Sequence, residues 1–474
     1  IRVETAQGVP IEIESIADFD QSLPEERQFD PDDPNTDDSG FILEKSVLNN
    51  KSVRLNSIHS DNVHKDQFQL AQESNNESVT DPTPSSPEDE DEDEANQFSL
   101  EESDTVSRSG LVEEVESLWR EIQRPGTDSH LQYSDRLYDL LIRPIEAEFR
   151  EQGIEGINTL LFSMENGLRL IPLAALYDSE TEQYLTEKYK ISVIPNFESL
   201  DIRRTDLTEA NVLAMGISEF QNSDIYPPLS AVPLELSLIE SIWERDAGET
   251  ESQFGDSMPR SVEVKRNQEV TLDNVRNARK DKPFQIVHLA THANFSAGSV
   301  SDSKIQLWDT TLPLNSLQID TLNWRKPPID LLILSACQTA LGDSNAELGF
   351  AGLSLQAEVK STLASLWYVS DLATLIYMME FYRNLGSSKT KAEAVQKTQL
   401  AMLDRQRLRQ NIRVLENTID SLLSSQDITW KNTETAVQGM MKIRERLRRD
   451  RAEVVEQLRH PFYWSAFTLT GSPW

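Results

Sequence analysis

The sequence predicts an α/β domain of three layers, with helices on both faces of a mainly parallel sheet. Residues 284–290 and 331–336 form nearly continuous apolar runs, which are typical of strands that are covered on both faces. Segments with helical periodicity follow at 347–358, 371–385 and 391–403. This alternation of strand and helix patterns favours a doubly covered sheet over an all-helical or all-strand fold.

The N-terminal part of the chain has a different composition. The whole chain carries 80 acidic and 45 basic side chains, a net charge of −35, and residues 1–104 hold 28 of the acids but only 6 of the bases. Seven consecutive acids, Glu88–Glu94, follow a Pro- and Ser-rich stretch. Because such a segment buries too little apolar surface to offset its ordering entropy, we expect residues 31–110 to be a disordered acidic linker. It is either a spacer or an acidic docking tail.

Residues 1–30 contain an alternating apolar piece, Val9–Glu14, which we interpret as the remnant of an upstream domain. The chain starts at Ile1 without a basic and apolar leader, so we expect that more sequence precedes it. We expect a cytoplasmic location, or an exported or cell-surface one if the missing part carries a signal.

Charge and residue counts exclude several functions. The acidic balance disfavours nucleic acid and anionic lipid as partners, since both are negatively charged. Cys337 is the only cysteine, so an intrachain disulfide is impossible. The apolar run at 331–342 has 12 uncharged residues, fewer than the roughly 18 of a membrane span. Neither a metal-ligand spacing nor a Gly-rich phosphate loop occurs, and we expect no cofactor.

The globular domain is predicted to span residues 111–474. Helical patterns occur at 111–124, at 133–142, again from Ile145 after the break at Arg143-Pro144, and at 234–243. Strand patterns occur at 159–163, 168–172, 189–194, 211–216 and 361–367. The turn Asn166-Gly167 suggests that the first two strands form a hairpin. Residues 404–459, with 12 bases and 9 acids, predict an inserted helical hairpin that either contacts an acidic partner or carries ordinary surface charge.

Two residue types suited to nucleophilic catalysis follow predicted neighbouring strands. His292 comes just after the run at 284–290, and Cys337 just after the run at 331–336. The carboxyl ends of parallel strands are where ligands bind in open α/β sheets. An imidazole can generate the thiolate that attacks a carbonyl. Backbone N–H groups of Ala293 and Cys337 are candidate oxyanion donors.

The alternatives for these residues are structural. A lone cysteine at a strand end is usually a small core residue, and a lone histidine is usually structural. His288 competes with His292 for the role of base. His288 lies inside the apolar run, where a helix layer should cover it, so we interpret His288 as structural and His292 as the base.

The segments 284–293 and 332–340 resemble the paired His and Cys motifs of the CHAT domain, a caspase-like peptidase family related to separase. Further matches are found at 140–146, 167–178, 231–236, 365–371 and 460–467. The resemblance implies a caspase-like sandwich and a His292/Cys337 dyad. Ala293 departs from the family's usual Gly, the 404–459 insertion is longer than usual, and no helical repeat accompanies the domain.

The resemblance also implies where a substrate side chain binds. In separase-like enzymes an acidic residue in the segment that matches Asp371 receives a basic P1 side chain. Asp343 is a second candidate, and Trp367 either walls the pocket or belongs to the core. Asp371 could equally cap the helix that it begins.

The sequence therefore predicts a cysteine endopeptidase that cleaves a protein or peptide substrate after a basic residue. Its activity is expected to be regulated or latent, with an activating protein partner, calcium or self-cleavage as candidate triggers. Arg448-Arg449 and the linker are candidate self-cleavage sites. The alternative is a catalytically weak or inactive CHAT scaffold that acts by binding other proteins.

Overall fold

The structure of the chain is a computed structural model. It describes residues 2–4, 10–14, 53–54 and 108–474, apart from 165–167, 169, 195–196, 198–199, 222–224, 247–259, 296–303, 314–323, 325–327, 336, 340–357 and 425–433. Most of the predicted linker, 31–110, therefore lies outside the described residues.

A large sheet forms the centre of the domain. Its eight main strands are β4 (Thr159–Ser163), β7 (Lys190–Ile194), β8 (Val212–Gly216), β9 (Val262–Arg266), β10 (Ile286–Ala290), β14 (Leu331–Leu334), β16 (Ser361–Ser365) and β17 (Phe467–Gly471). The spatial order is β4-β7-β17-β16-β14-β10-β8-β9. Within these eight, β16 and β17 form the antiparallel pair, and the other neighbours are parallel. The predicted mainly parallel sheet is thus confirmed.

Three short strands extend the sheet beyond β4. They are β1 (Arg2–Glu4), β2 (Pro10–Glu14) and β3 (Val53–Arg54). β1 pairs antiparallel with both β2 and β4. The alternating piece that suggested an upstream remnant therefore lies on this sheet, in β2.

Alternate side chains of the central strands enter two separate cores. In β8, Ala214 belongs to one apolar cluster, whereas Leu213 and Met215 belong to the other. β10 divides in the same way, with Ile286 in the first cluster and Val287 in the second. Because successive side chains of a strand point to opposite faces, both faces of the sheet are buried. This explains the near-continuous apolar runs in the sequence.

Eleven α-helices occur among the described residues. They are α1 (Arg108–Ile122), α2 (Leu131–Leu141), α3 (Arg143–Glu151), α4 (Leu185–Lys188), α5 (Val232–Asp246), α6 (Leu272–Asp281), α7 (Asp371–Leu385), α8 (Lys391–Leu403), α9 (Arg405–Ser424), α10 (Glu434–Arg449) and α11 (Arg451–Leu458). Side chains of α5 and α7, among them Trp243 and Tyr382, fill the first core, and Val275 of α6 lies in the second. No helix in the described part of the chain is long and apolar enough to cross a membrane.

Helix α5 packs closely on the end of β8. A Cβ atom at Gly216 would lie 2.5 Å from Val232 Cγ1 and 2.8 Å from Leu236 Cδ1. Only a glycine leaves room for this approach, because real Cβ contacts below 3.0 Å essentially do not occur. The close packing brings the first turn of α5 to the carboxyl ends of the central strands.

A second, smaller sheet continues from two of these strands. It consists of β11 (Ala293–Phe295), β12 (Lys304–Gln306), β13 (Thr311–Pro313) and β15 (Cys337–Thr339), in the order β13-β12-β11-β15. A two-stranded ribbon, β5 (Tyr177–Asp178) with β6 (Gln183–Tyr184), lies elsewhere. β11 follows β10 and β15 follows β14, so the small sheet begins where the large one ends.

One predicted hairpin is wrong. Thr159–Ser163 is strand β4, but Leu168 and Leu170 lie in turns, and β4 pairs with β1 and β7 instead. The predicted turn residues Asn166 and Gly167 lie outside the described residues. The apolar run next to the Asn-Gly pair indicated the second strand of a hairpin. In the structure it leads instead into a buried 3₁₀ turn, Leu173–Ala175. Tertiary burial, rather than local pairing, explains this apolar run.

Residues 404–459, predicted as a hairpin of two long helices, contain those two helices and a third, shorter one. α9 and α10 lie against each other, and α11 follows. Asp420 of α9 binds Arg444 at 3.0 Å and Arg448 at 2.6 Å in α10. Leu415 and Met440 are fully buried. The hairpin is therefore packed onto the domain along an apolar seam.

Candidate active site

A cavity of about 180 Å³ opens at the carboxyl ends of the central strands. The residues that line it come from the loop before α5, from α5 itself, from the ends of β10, β14 and β16, and from the start of α7: Pro227, Pro228, Leu229, Ala231, Val232, Glu235, His292, Ser335, Ser365, Tyr368, Val369, Asp371 and Thr374. Ligands in open α/β sheets bind at this edge.

His292 lies between the end of β10 and the start of β11. Its carbonyl oxygen accepts a hydrogen bond from the Gln306 N–H at 2.9 Å. The Thr291 hydroxyl donates to the Gln306 carbonyl at 2.7 Å. These contacts fix the backbone on both sides of the imidazole.

The ring of His292 has one nitrogen occupied by a backbone carbonyl. Nε2 lies 2.7 Å from the Pro227 carbonyl oxygen. A carbonyl only accepts hydrogen bonds, so Nε2 carries the proton, and Nδ1 of the neutral ring carries the lone pair that can accept a proton. The rings of Phe220 and Tyr226 lie 4.8 and 5.7 Å from the imidazole.

Burial lowers the pKa of His292, and the hydrogen bond to Pro227 opposes this shift. The neutral imidazole is thereby favoured near pH 7. A neutral ring is the form that can accept a proton from a thiol.

The backbone of Cys337 lies next to that of Ala293. The two residues are register partners in the parallel pair formed by β15 and β11. In the large sheet, Leu289 of β10 is the partner of Leu334 in β14. Three residues separate Leu289 from Ala293 and two separate Leu334 from Cys337, so β10 carries one extra residue there. Such an insertion redirects side chains at a strand end.

Asp371 is the first residue of α7 and lines the cavity. Ser370, rather than Asp371, occupies the N-cap position. Burial and the nearby charge of Glu235 raise the pKa of Asp371, and a hydrogen bond with the Tyr368 hydroxyl opposes them. Tyr368 is 56 % exposed at the cavity rim.

Glu235 is a cavity residue that the sequence reasoning missed. It lies in the first turn of α5 and is 4 % exposed. Its Oε1 accepts a hydrogen bond from the Ser335 hydroxyl and lies 3.3 Å from His288 Nε2. The signal was an acidic residue within the buried part of an amphipathic helix, where an uncompensated carboxylate is costly.

The other candidates have different surroundings. His288 is fully buried in mid-strand, with the Tyr382 ring 5.8 Å away. Trp367 is 1 % exposed, its Nε1 donates to the Phe462 carbonyl at 2.9 Å, and it does not line the cavity. Asp343 lies outside the described residues, and so does the side chain of Cys337.

The lining of the cavity is anionic. Glu235 and Asp371 supply two carboxyl groups, and no Lys or Arg occurs among the described lining residues. Within the same described part of the chain, no group of three or more His, Cys, Asp or Glu side chains is arranged to hold a metal ion. The arrangement suits a cationic side chain of a ligand next to a basic imidazole.

Comparison with known proteins is consistent with this architecture. No curated protein matches the chain. The family model for the CHAT domain matches residues 131–472, a range that contains the eight main strands of the sheet, His292, Cys337 and the cavity. Since this range is more than half of the 474 residues, the chain belongs to the CHAT domain family, which is related to the caspase-like peptidases.

Proposed function

We propose that the protein is a cysteine endopeptidase in which Cys337 is the nucleophile and His292 the base. The observation that carries the proposal is the register of Ala293 with Cys337, next to an imidazole whose Nε2 is held by Pro227. This leaves Nδ1 of His292 for the thiol proton. Membership of the chain in the CHAT domain family, which is related to peptidases, supports the same chemistry.

In the proposed reaction, His292 Nδ1 takes the thiol proton, and the thiolate attacks the carbonyl carbon of the scissile peptide bond. The C–N bond then breaks, and the imidazolium gives its proton to the leaving amine. Water, deprotonated by the same imidazole, hydrolyses the thioester and regenerates the thiol. The N–H groups of Ala293 and Cys337 are the proposed donors to the oxyanion.

A basic P1 side chain is the proposed specificity. Asp371 and Glu235 line a cavity in which the described lining has no Lys or Arg. A guanidinium entering the cavity would replace the repulsion between the two carboxylates by attraction, and its planar donors suit two acceptors. The raised pKa of Asp371 reflects burial and that repulsion, which a bound cation would relieve.

A peptidyl electrophile with Arg at P1 tests the proposal. We expect covalent labelling of the wild type and none of Cys337→Ala or His292→Ala, with intact mass as the readout. His460→Ala is the matched histidine control and should still be labelled, because His460 binds the Thr127 carbonyl and lies outside the cavity lining. Labelling of Cys337→Ala, or none of the wild type, contradicts the proposal.

The second candidate function is a CHAT scaffold that binds proteins without cleaving them. The observation behind it is Ala293, which stands at the proposed oxyanion turn where the family usually has Gly. The Ala293 methyl group packs in the second apolar core. A scaffold predicts that a small thiol alkylator reacts with Cys337 no faster than with an ordinary cysteine, and that His292→Ala does not change this rate.

A further inference from the structure

The helical hairpin contacts the segment that orients His292. We name residues 225–231 the proline segment; it contains Pro227, whose carbonyl accepts the hydrogen bond from His292 Nε2. The hydrogen bond from the Leu229 N–H to the Ser218 carbonyl, at 3.0 Å, anchors this segment to the chain that leaves β8. Helix α5 begins directly after it.

The contact between the hairpin and this segment is made by a glycine. Gly439 lies in the middle of α10 and is buried there. A Cβ atom at this position would lie 2.5 Å from Ser230 Cβ, 2.7 Å from Ser230 Oγ and 2.9 Å from the Ser230 carbonyl oxygen. All three distances are shorter than those that real Cβ atoms show, so any larger residue must push the two segments apart.

Only Pro228 and Leu229 separate Ser230 from Pro227. Proline fixes its own φ and restricts the residue before it. The two prolines therefore leave few backbone torsions between Ser230 and the Pro227 carbonyl that could absorb a displacement of Ser230. α10 is itself held by the two arginine contacts to Asp420 of α9, and it lies against α5.

We propose that the hairpin of α9 and α10 positions His292. Gly439 is the positioning residue, because it sets the distance between α10 and the proline segment. Close approach at Gly439 holds the Pro227 carbonyl within reach of Nε2 and so leaves Nδ1 as the base. The catalytic consequence rests on the function proposed above. The geometric consequence, which is control of the His292 tautomer, does not depend on the proposed function.

The test uses the full chain with Gly439→Ala, alone and combined with Ser230→Gly. We expect Gly439→Ala to lower kcat for an Arg-P1 peptide by about 10–100-fold, with KM unchanged. The ¹⁵N shifts of the His292 ring should show loss of the Nε2–H tautomer. Ser230→Gly removes the two closest contacts and should restore much of the lost kcat and much of the Nε2–H tautomer. Met441→Ala, at a 47 % exposed position of α10, is the control and should change neither.

Two results would overturn the proposal. One is a folded Gly439→Ala protein whose ring tautomer and kcat equal those of the wild type. The other is a double variant that stays impaired or unfolded, which would make the contact a purely structural one. If the wild type cleaves no peptide, the proposed function fails while the ring-nitrogen shifts still decide this inference.

Discussion

The two ends of the central strands use buried charge in opposite ways. At the carboxyl ends, Glu235 and Asp371 line a cavity whose described lining contains no Lys or Arg. At the amino ends, Asp330 precedes β14 and binds Lys360 at 2.7 Å and the Thr205 hydroxyl at 3.0 Å. Lys391 lies beside it, with Nζ 3.5 Å from the Asp330 carbonyl.

The difference is between a carboxylate that has a cationic partner within the chain and carboxyl groups that the proposed function assigns to a ligand. A buried carboxylate with a cation in contact is satisfied within the chain, and removing one partner leaves an uncompensated charge. Burial and a neighbouring like charge raise the pKa of a carboxyl group, and such groups are candidates for functional sites. Asp371, whose pKa is raised by burial and by the charge of Glu235, is such a candidate.

The largest expected effects come from the same substitution at each end. Asp371→Asn should lower kcat/KM for Arg-P1 peptides by about 30–100-fold, since it removes a hydrogen bond to a charged group. Its free energy of unfolding should be unchanged or slightly higher, because burial and Glu235 disfavour the charged form of Asp371. Steady-state kinetics and urea unfolding measure the two quantities.

The counterpart, Asp330→Asn, should behave in the opposite way. It leaves Lys360 without its carboxylate at 2.7 Å and should lower the free energy of unfolding by about 3 kcal/mol. The value of kcat/KM should stay that of the wild type. If both substitutions destabilised equally and neither changed specificity, the distinction between the two ends would be lost.

A pH-dependent effect is expected at the amino end. Burial lowers the pKa of Lys391 to about 7, with Asp330 opposing the shift. The unfolded chain keeps the ordinary value of 10.5, so the unfolded state binds the proton more tightly. Folding stability that is present above pH 10.5 is therefore lost as the pH falls towards 7.

Lys391→Met removes this dependence. Its advantage over the wild type in free energy of unfolding should grow by about 3 kcal/mol between pH 9.5 and pH 7. Urea titrations at the two pH values measure it, with the exposed Lys389→Met as the control. A constant difference between variant and wild type at both pH values would show that Lys391 has no lowered pKa.

The smallest effect is expected for Glu235→Gln. The glutamine oxygen can still accept the Ser335 hydrogen bond, but the charge beside Asp371 is lost. The pKa of Asp371 should fall, because the Glu235 charge helps to raise it, so the acid limb of the pH–rate profile should move to lower pH. We expect kcat/KM for Arg-P1 peptides to fall about 5–10-fold, as for one weaker charged contact. An unshifted acid limb would remove Glu235 from the specificity site.

Much of the fold followed from local pattern. The runs that contain β10 and β14 are apolar on both faces because their alternate side chains pack in two cores. Their continuous apolar sequence is visible without a structure. The strand predicted at 168–172 is wrong. The described residues of this segment are apolar because they are buried near a 3₁₀ turn, and they do not pair with a neighbouring strand. Periodicity records that a side chain is buried, but not what covers it.

The candidate site shows the same limit. Strand ends pointed to His292 and Cys337, whose roles stay predictions. The Pro227 carbonyl, Glu235 and Gly439 come from segments whose proximity depends on how α5 and the hairpin pack. No spacing in the sequence relates residue 227 or 439 to residue 292. Contacts between distant segments are set by tertiary packing, and only the structure brings these residues together.

Strand β17 gives the order of synthesis a physical consequence. It pairs with β16 on one side and with β7 on the other, so it joins two blocks of strands that otherwise do not touch within the sheet. A ribosome must deliver residues 467–471 before the blocks can join. Until then β7 and β16 present open edges to other nascent chains, and open edges invite aggregation. Slow translation of residues 467–471 would therefore prolong the period in which these two strand edges stay open.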